Sequence, residues 1–184
     1  TQGVSSAASD VYKRQPKFSG KGEYTLVPYP SPTHGDGSIA NRPWVPELPD
    51  PMAQAVWTTW VEINPETCKK LSLKRMDIIE ITSENGQSAM LPVLLSPAVH
   101  PEAIAIPVGM GHTSFGRYAY GKGYNPLNLV EPTWQEGSDE MVWAGTKVSI
   151  RKTGENGFGV PGQRGWVTTY DWRANDMPRH LYED

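Results

Sequence analysis

The sequence predicts a small, mainly β domain, a barrel or a sandwich, and three observations carry that prediction. Short runs of β-branched and aromatic residues recur from Tyr24 to Lys152. The Asn85-Gly86 pair, preferred in two-residue hairpin turns, lies between two of those runs. Only one strong helix start is legible, so one or two short helices are expected beside the strands. A chain of 184 residues suits one domain with extensions. Its 17 prolines, 18 glycines and 38% hydrophobic content place long irregular arms at both ends of the compact part.

Taken in order, residues 1–15 are polar, small and aperiodic and read as a disordered leader; their wording resembles translated adaptor sequence, so they are set aside as non-native. Residues 16–56 read as a proline-rich extended arm. It holds one alternating run, Tyr24-Thr25-Leu26-Val27, and then seven prolines between Pro28 and Pro51, each removing a donor and restricting the residue before it. Within the arm, His34 to Trp44 mixes turn formers with His34, Asn41 and Arg42. That combination can line a ligand site, and by itself it also reads as a surface loop pinned to the core by Trp44.

The barrel proper is expected over 57–152. Trp57 to Ile63 is aromatic and β-branched and reads as a strand. Asn64-Pro65-Glu66 then gives a helix start: a capping side chain, proline at the first helical position, and an acidic residue where the dipole favours it. That helix should run to about Leu71. Asp77 to Thr82 and about Gln87 to Leu95 flank the turn as a hairpin, and Ala103 to Val108 is another apolar strand. Thr146 to Lys152 alternates Val148 and Ile150 with polar neighbours, which predicts a half-exposed edge strand. Residues 153–184 turn polar again and read as a tail or linker.

The strand ending at Val108 delivers the chain into the most distinctive segment, Gly109 to Asn125. It combines five glycines with His112, Thr113, Arg117 and Asn125. Glycine lets main-chain N–H groups approach an anion, and arginine supplies a fixed fork of donors, so the segment suits a phosphate- or pterin-bearing ligand. A flexible surface loop is the other reading of the same residues.

Several functions are excluded by composition. A formal charge of −3 gives no basic field for nucleic acid, and no apolar run of about 18 residues exists to insert into a membrane. Cys68, the single cysteine, cannot form an internal disulfide or by itself hold a cysteine-ligated cluster. His34, His100, His112 and His180 show no metal-ligand spacing, no Gly-x-Ser-x-Gly elbow surrounds Ser114, and Asp139 and Glu140 read as a solvated face. No catalytic residue and no metal site are expected in this chain.

A resemblance adds to this reading. Asn41-Arg42-Pro43-Trp44, the segment Glu47 to Met52, Trp60 to Pro65, Gly111-His112-Thr113, Gly116-Arg117-Tyr118-Ala119 and Asn125-Pro126 together resemble the C-terminal molybdopterin-dinucleotide-binding domain of the dimethyl-sulfoxide-reductase family. The match extends over roughly residues 24–152 and is closest to the molybdopterin-oxidoreductase-like subunits of alternative complex III and the quinone reductase complex. It implies a six-stranded double-psi β-barrel. It also implies a fragment, not catalytic alone, of an oxidoreductase that holds molybdopterin guanine dinucleotide. By position, His34, Asn41, Arg42, Gly109, Gly111, His112, Thr113, Gly116, Arg117 and Asn125 would contact that cofactor. An iron–sulfur cluster would sit elsewhere in the full-length polypeptide. The implied partners are its remaining domains and the iron–sulfur and membrane subunits of a respiratory complex, at the periplasmic face of the bacterial cytoplasmic membrane. Some subunits of the closest subfamily keep the fold without the cofactor, which implies the alternative of a structural scaffold whose loops are filled by Tyr118, Tyr120 and Trp44. The sequence departs from the pattern at Met76-Asp77, where the family commonly has Gly-Asp, so that turn must avoid positive φ or bear strain.

Overall fold

The computed structural model describes Phe18 and residues 20–53, 55–134 and 140–156. The leader at 1–15, the tail beyond residue 156, and Asp139 and His180 lie outside the described residues. Six strands, β1 (Tyr24–Pro30), β2 (Val61–Ile63), β3 (Asp77–Ser83), β4 (Ser88–Leu95), β5 (Ala103–Val108) and β6 (Lys147–Asn156), form a closed barrel in the order β1-β5-β2-β4-β3-β6. The β1–β5 and β2–β4 pairs are parallel and the rest antiparallel. Two short helices, α1 (Pro65–Lys70) and α2 (Gly116–Ala119), and a 3-10 turn (Pro126–Leu129) complete the described elements.

Alternation along the strands fills the interior. Leu26, Val61, Ile63, Ile79, Ile81, Leu91, Val93, Ile104, Ile106 and Val148 are buried in one cluster. Each such side chain contributes about 1.5–3 kcal/mol by leaving water. Helix α1 plugs one side of this cluster with Cys68, whose thiol burial pushes up to about 11, so it packs as a small apolar group rather than a nucleophile. Its start follows the expected chemistry, with Asn64 Oδ1 accepting from Glu66 N–H at 2.8 Å. Its end is a Schellman turn: Leu73 N–H donates to Cys68 O at 2.8 Å and Ser72 N–H to Lys69 O at 3.2 Å. Ser72 therefore holds φ +53°, a position where glycine is usual.

Three expectations change in the structure, and a fourth point left open is decided. The barrel begins at Tyr24, inside the segment read as an arm, and β1 runs to Pro30 despite its prolines. Residues 26, 28 and 30 turn their N–H positions to the same side; Leu26 donates to Thr146 O at 2.9 Å there, and pairing with β6 extends no further than Thr25. Pro28 and Pro30 thus leave no ladder bond unmade. The strand expected from Trp57 shrinks to Val61–Ile63, because Trp57 takes φ +59° and Thr59 spends its hydroxyl on Tyr124, accepting from its N–H at 3.0 Å and donating to its carbonyl at 3.1 Å. Strand β6 is not an edge: it pairs with both β1 and β3 and closes the barrel, with a register shift opposite Asp77 and Ile79. Finally, Met76 does bear the strain at its turn, with φ +71°, while its side chain is buried and its N–H donates to Val93 O at 2.8 Å.

Candidate functional site

Because β1 and β5 run parallel, with Pro30 opposite Val108, the loops that follow them leave the barrel at the same mouth. Their contact explains the glycines. Gly109 holds φ +110°, and an added Cβ there would lie 2.7 Å from the Cβ of His34. Gly37 holds φ +92°, and its Cβ would lie 2.9 Å from His112 Nε2 and 3.0 Å from Gly109 O. Each loop therefore reaches through the bare backbone of the other. Farther along, Asn41 Oδ1 accepts from Tyr118 N–H at 3.1 Å, and the Asn41 amide group lies against Gly116. Gly111 packs on the backbone of Asn125. All ten sequence-selected residues thus lie on these two loops or on segments touching them.

Their chemistry differs from one to the next. His34 is buried; its Nδ1 pairs with Thr33 Oγ1 at 2.8 Å, and its Nε2 has no partner. Burial pushes its pKa below the usual imidazole value, the Asp50 carboxylate opposes that shift and nearby His112 adds to it, so His34 is neutral at pH 7. His112 Nε2 is likewise buried without a partner, and the ring tilts against Phe115 at 5.1 Å. Arg42 and Arg117 are exposed and lack a carboxylate partner among the described residues. Arg42 lies over the Trp44 ring at 5.8 Å, while Arg117 lies over Tyr118 at 4.7 Å and donates to its hydroxyl at 2.6 Å. Thr113 is exposed. Asn125 spends its Oδ1 capping the 3-10 turn, accepting from Leu127 N–H at 3.1 Å, which leaves its Nδ2 as the available donor.

Two side chains behave differently from expectation. Trp44, read as the pin of its loop, is 56% exposed, and the neighbouring Val45 takes the buried position instead. Tyr120 is 62% exposed, so neither it nor Trp44 fills the mouth.

A polar layer beneath the loops escaped the sequence reading. Tyr29 at the end of β1 donates to Glu62 Oε1 at 2.5 Å, and Trp60 Nε1 donates to the same oxygen at 3.2 Å. Burial, then the hydrogen bond to Glu62, push the Tyr29 hydroxyl far above its usual range. Asp50 is buried; its Oδ1 accepts from Met52 and Ala53 N–H at 2.9 and 2.8 Å, and its Oδ2 has no partner. The Asp50-Pro51 pair is a local signal for such a turn cap, but nothing in the sequence places it near His34. Between this layer and the loops lies a narrow pocket lined by Ser31, His34, Thr58, Thr59 and Met110, with room for about one water molecule. The mouth offers cationic forks, unpartnered imidazole nitrogens and closely spaced backbone, an arrangement for binding a polar anionic group. Among the described residues, no group of three or more His, Cys, Asp or Glu is placed to hold a metal ion.

Residues 39–140 match the family described as molydopterin dinucleotide binding domain. The chain is 31% identical over 93 residues to the menaquinone reductase molybdopterin-binding-like subunit of Nitratidesulfovibrio vulgaris, covering 50% of this chain and 13% of that protein. It is 34% identical over 114 residues to the molybdopterin-containing subunit ArrA of the arsenate respiratory reductase of a Shewanella species, covering 60% of this chain and 13% of the relative. Among solved structures, acetylene hydratase from Pelobacter acetylenicus superposes with a TM-score of 0.45 at 14% identity, covering 81% of this chain and 20% of that one. The matched region is therefore about an eighth of the length of either relative.

Proposed function

The chain belongs to the molydopterin dinucleotide binding domain family, and from that premise we propose that its two interlocked loops hold molybdopterin guanine dinucleotide within a larger oxidoreductase subunit. The observation that carries this reading is the pairing of two exposed guanidinium groups, Arg42 and Arg117, with the unpartnered Nε2 atoms of His34 and His112 at one mouth of the barrel. The residues fit the group: Arg42 and Arg117 would take pyrophosphate oxygens, His112 and Thr113 would meet phosphate or a pterin carbonyl, and Asn125 Nδ2 would donate to a pterin or guanine edge. Buried, neutral His34 would offer one donor or acceptor without adding charge. When bound, the cofactor supplies the redox chemistry of the whole protein; these side chains bind and orient it. An electron-transfer role, an iron–sulfur cluster elsewhere in the polypeptide, membrane partners in a respiratory complex and a periplasmic location belong to the same proposal.

A second reading, a scaffold that keeps the fold without cofactor, is favoured by one observation. The loops already fill each other's space at Gly37, Gly109 and Gly116, and the pocket beneath them is narrow.

The two readings separate on cofactor content. The longest polypeptide carrying this domain is to be purified, its oxidised extract measured for pterin fluorescence and the protein for molybdenum. Stoichiometric cofactor is expected; its absence from correctly folded protein establishes the scaffold reading instead. In the same background Arg117→Ala should lower cofactor retention without changing the fold, and unchanged retention removes Arg117 from the site.

A further inference from the structure

The opposite mouth of the barrel carries a second, unrelated cavity. Ser83 at the end of β3 lies opposite Val148 near the start of β6, and Tyr24 at the start of β1 pairs with the same Val148. This end is therefore the one remote from the glycine-rich loops. The cavity, about 620 Å³ including its solvent-open part, is lined by Ser83, Glu84, Asn85, Glu131, Thr146 and Lys147.

Its walls are fixed by contacts between the segments that meet there. At Gly22 an added Cβ would collide with the Val148 backbone, so the chain entering β1 is pressed onto the start of β6. Lys21 N–H donates to the Glu84 carboxylate and ties that segment to the β3–β4 turn. Thr146 Oγ1 accepts from Glu131 N–H at 2.8 Å, which holds Glu131 at the rim. The nitrogen donors of the lining side chains each have a partner outside the carboxylates: Lys147 Nζ donates to Thr25 Oγ1 at 2.8 Å and lies 5.1 Å from the centre of the Phe18 ring, and Asn85 Nδ2 donates to Asn128 O at 3.0 Å. The Glu131 carboxylate has no cation partner among the described residues. Most telling, Ser83 is 3% exposed, lines the cavity, and its Oγ has no hydrogen-bond partner.

We propose that this mouth binds a guanidinium group, whose planar set of N–H donors matches two carboxylates, Glu84 and Glu131, and the orphan hydroxyl of Ser83. The group arrives either on a small free molecule or on an arginine side chain of a polypeptide. Isothermal titration of the purified protein with methylguanidinium, N-acetyl-arginine amide and the neutral isostere N-acetyl-citrulline amide tests this, with salt matched throughout. Saturable binding of the two cations and none of the citrulline derivative is expected. Tighter binding of the arginine derivative assigns the side-chain source, and equal binding the free molecule. Glu131→Gln should weaken either cation roughly tenfold and Ser83→Ala several-fold, with circular dichroism unchanged. If Ser83→Ala perturbs the fold, Glu131→Gln and Glu84→Gln at the solvent-facing rim carry the test. Absence of saturable binding, equal binding of citrulline, or affinities unaltered in the folded variants overturns the proposal.

Discussion

Substitution of Gly109 by alanine isolates the contact that joins the two loops. The residue holds φ +110°, outside the regions open to L residues, and a methyl group there would meet the His34 side chain at 2.7 Å. Backbone strain of this kind costs about 1–3 kcal/mol. Overpacking against a buried neighbour adds about 1–3 kcal/mol, because the contact is with the His34 Cβ, which no side-chain rotation moves away. The expected loss is therefore about 2–6 kcal/mol. Gly35 provides the control within the same mouth: its φ is +57°, nothing lies within 4 Å of where a methyl group would stand, and alanine should cost only the left-handed penalty, about 1–2 kcal/mol. Urea denaturation followed by tryptophan fluorescence measures both, with unchanged slopes certifying comparable unfolding. A Gly109→Ala midpoint indistinguishable from that of Gly35→Ala would refute the interlocking of the loops.

Other consequences are open to measurement. Ser72→Gly removes the left-handed strain of the Schellman turn while keeping both its backbone bonds, and should stabilise the protein by about 0.5–1 kcal/mol; a lowered melting temperature would contradict that geometry. Asp77 is buried, accepts from Lys74 N–H at 2.9 Å and pairs with Lys152 at 2.7 Å, so Asp77→Asn should cost about 1–3 kcal/mol in a thermal melt, and a loss below about 0.5 kcal/mol would count against the pairing. His34 has a folded pKa below its unfolded one, and Asp50, His112 and Thr33 face it. Its contribution is fully present above the unfolded value near 6.5 and declines as pH falls through that value toward the depressed one, at no more than about 1.4 kcal/mol per pH unit. Urea midpoints from pH 7.5 to 5 should therefore fall more steeply in the parent than in His34→Gln, and parallel curves would show that His34 does not carry the dependence.

Local signals made the β3–β4 hairpin and β5 legible. Asn85-Gly86 names its turn, and Ala103 to Val108 is apolar without interruption because both neighbours of β5 lie inside a closed barrel. The start of α1 was equally readable from Asn64, Pro65 and Glu66, since a cap is a contact between residues two apart. What sequence could not display is pairing across distance. Strand β1 has its parallel partner far along the chain, so its proline content dominated the local reading, and the edge character assigned to β6 vanished once both its sides were paired. Trp57 is a strand former by composition that tertiary contacts hold in a left-handed conformation. At the candidate site, composition singled out the two loops, while their mutual penetration at Gly37 and Gly109 and the buried Asp50 beside His34 depend on β1 and β5 standing next to each other.

The order in which these strands leave the ribosome gives the prolines of β1 a further meaning. Strand β1 is synthesised first, yet Lys147, which opens β6, follows Pro30 by roughly 6–20 s at ordinary elongation rates. Until β6 is made, the flank of β1 that faces it has no partner strand from the barrel. Pro28 and Pro30 blank two donor positions on one flank of β1, and that flank is the one the finished barrel leaves unladdered beyond Leu26. The same two residues therefore withhold donors from any neighbouring chain on the one flank where their absence costs the completed barrel no ladder bond.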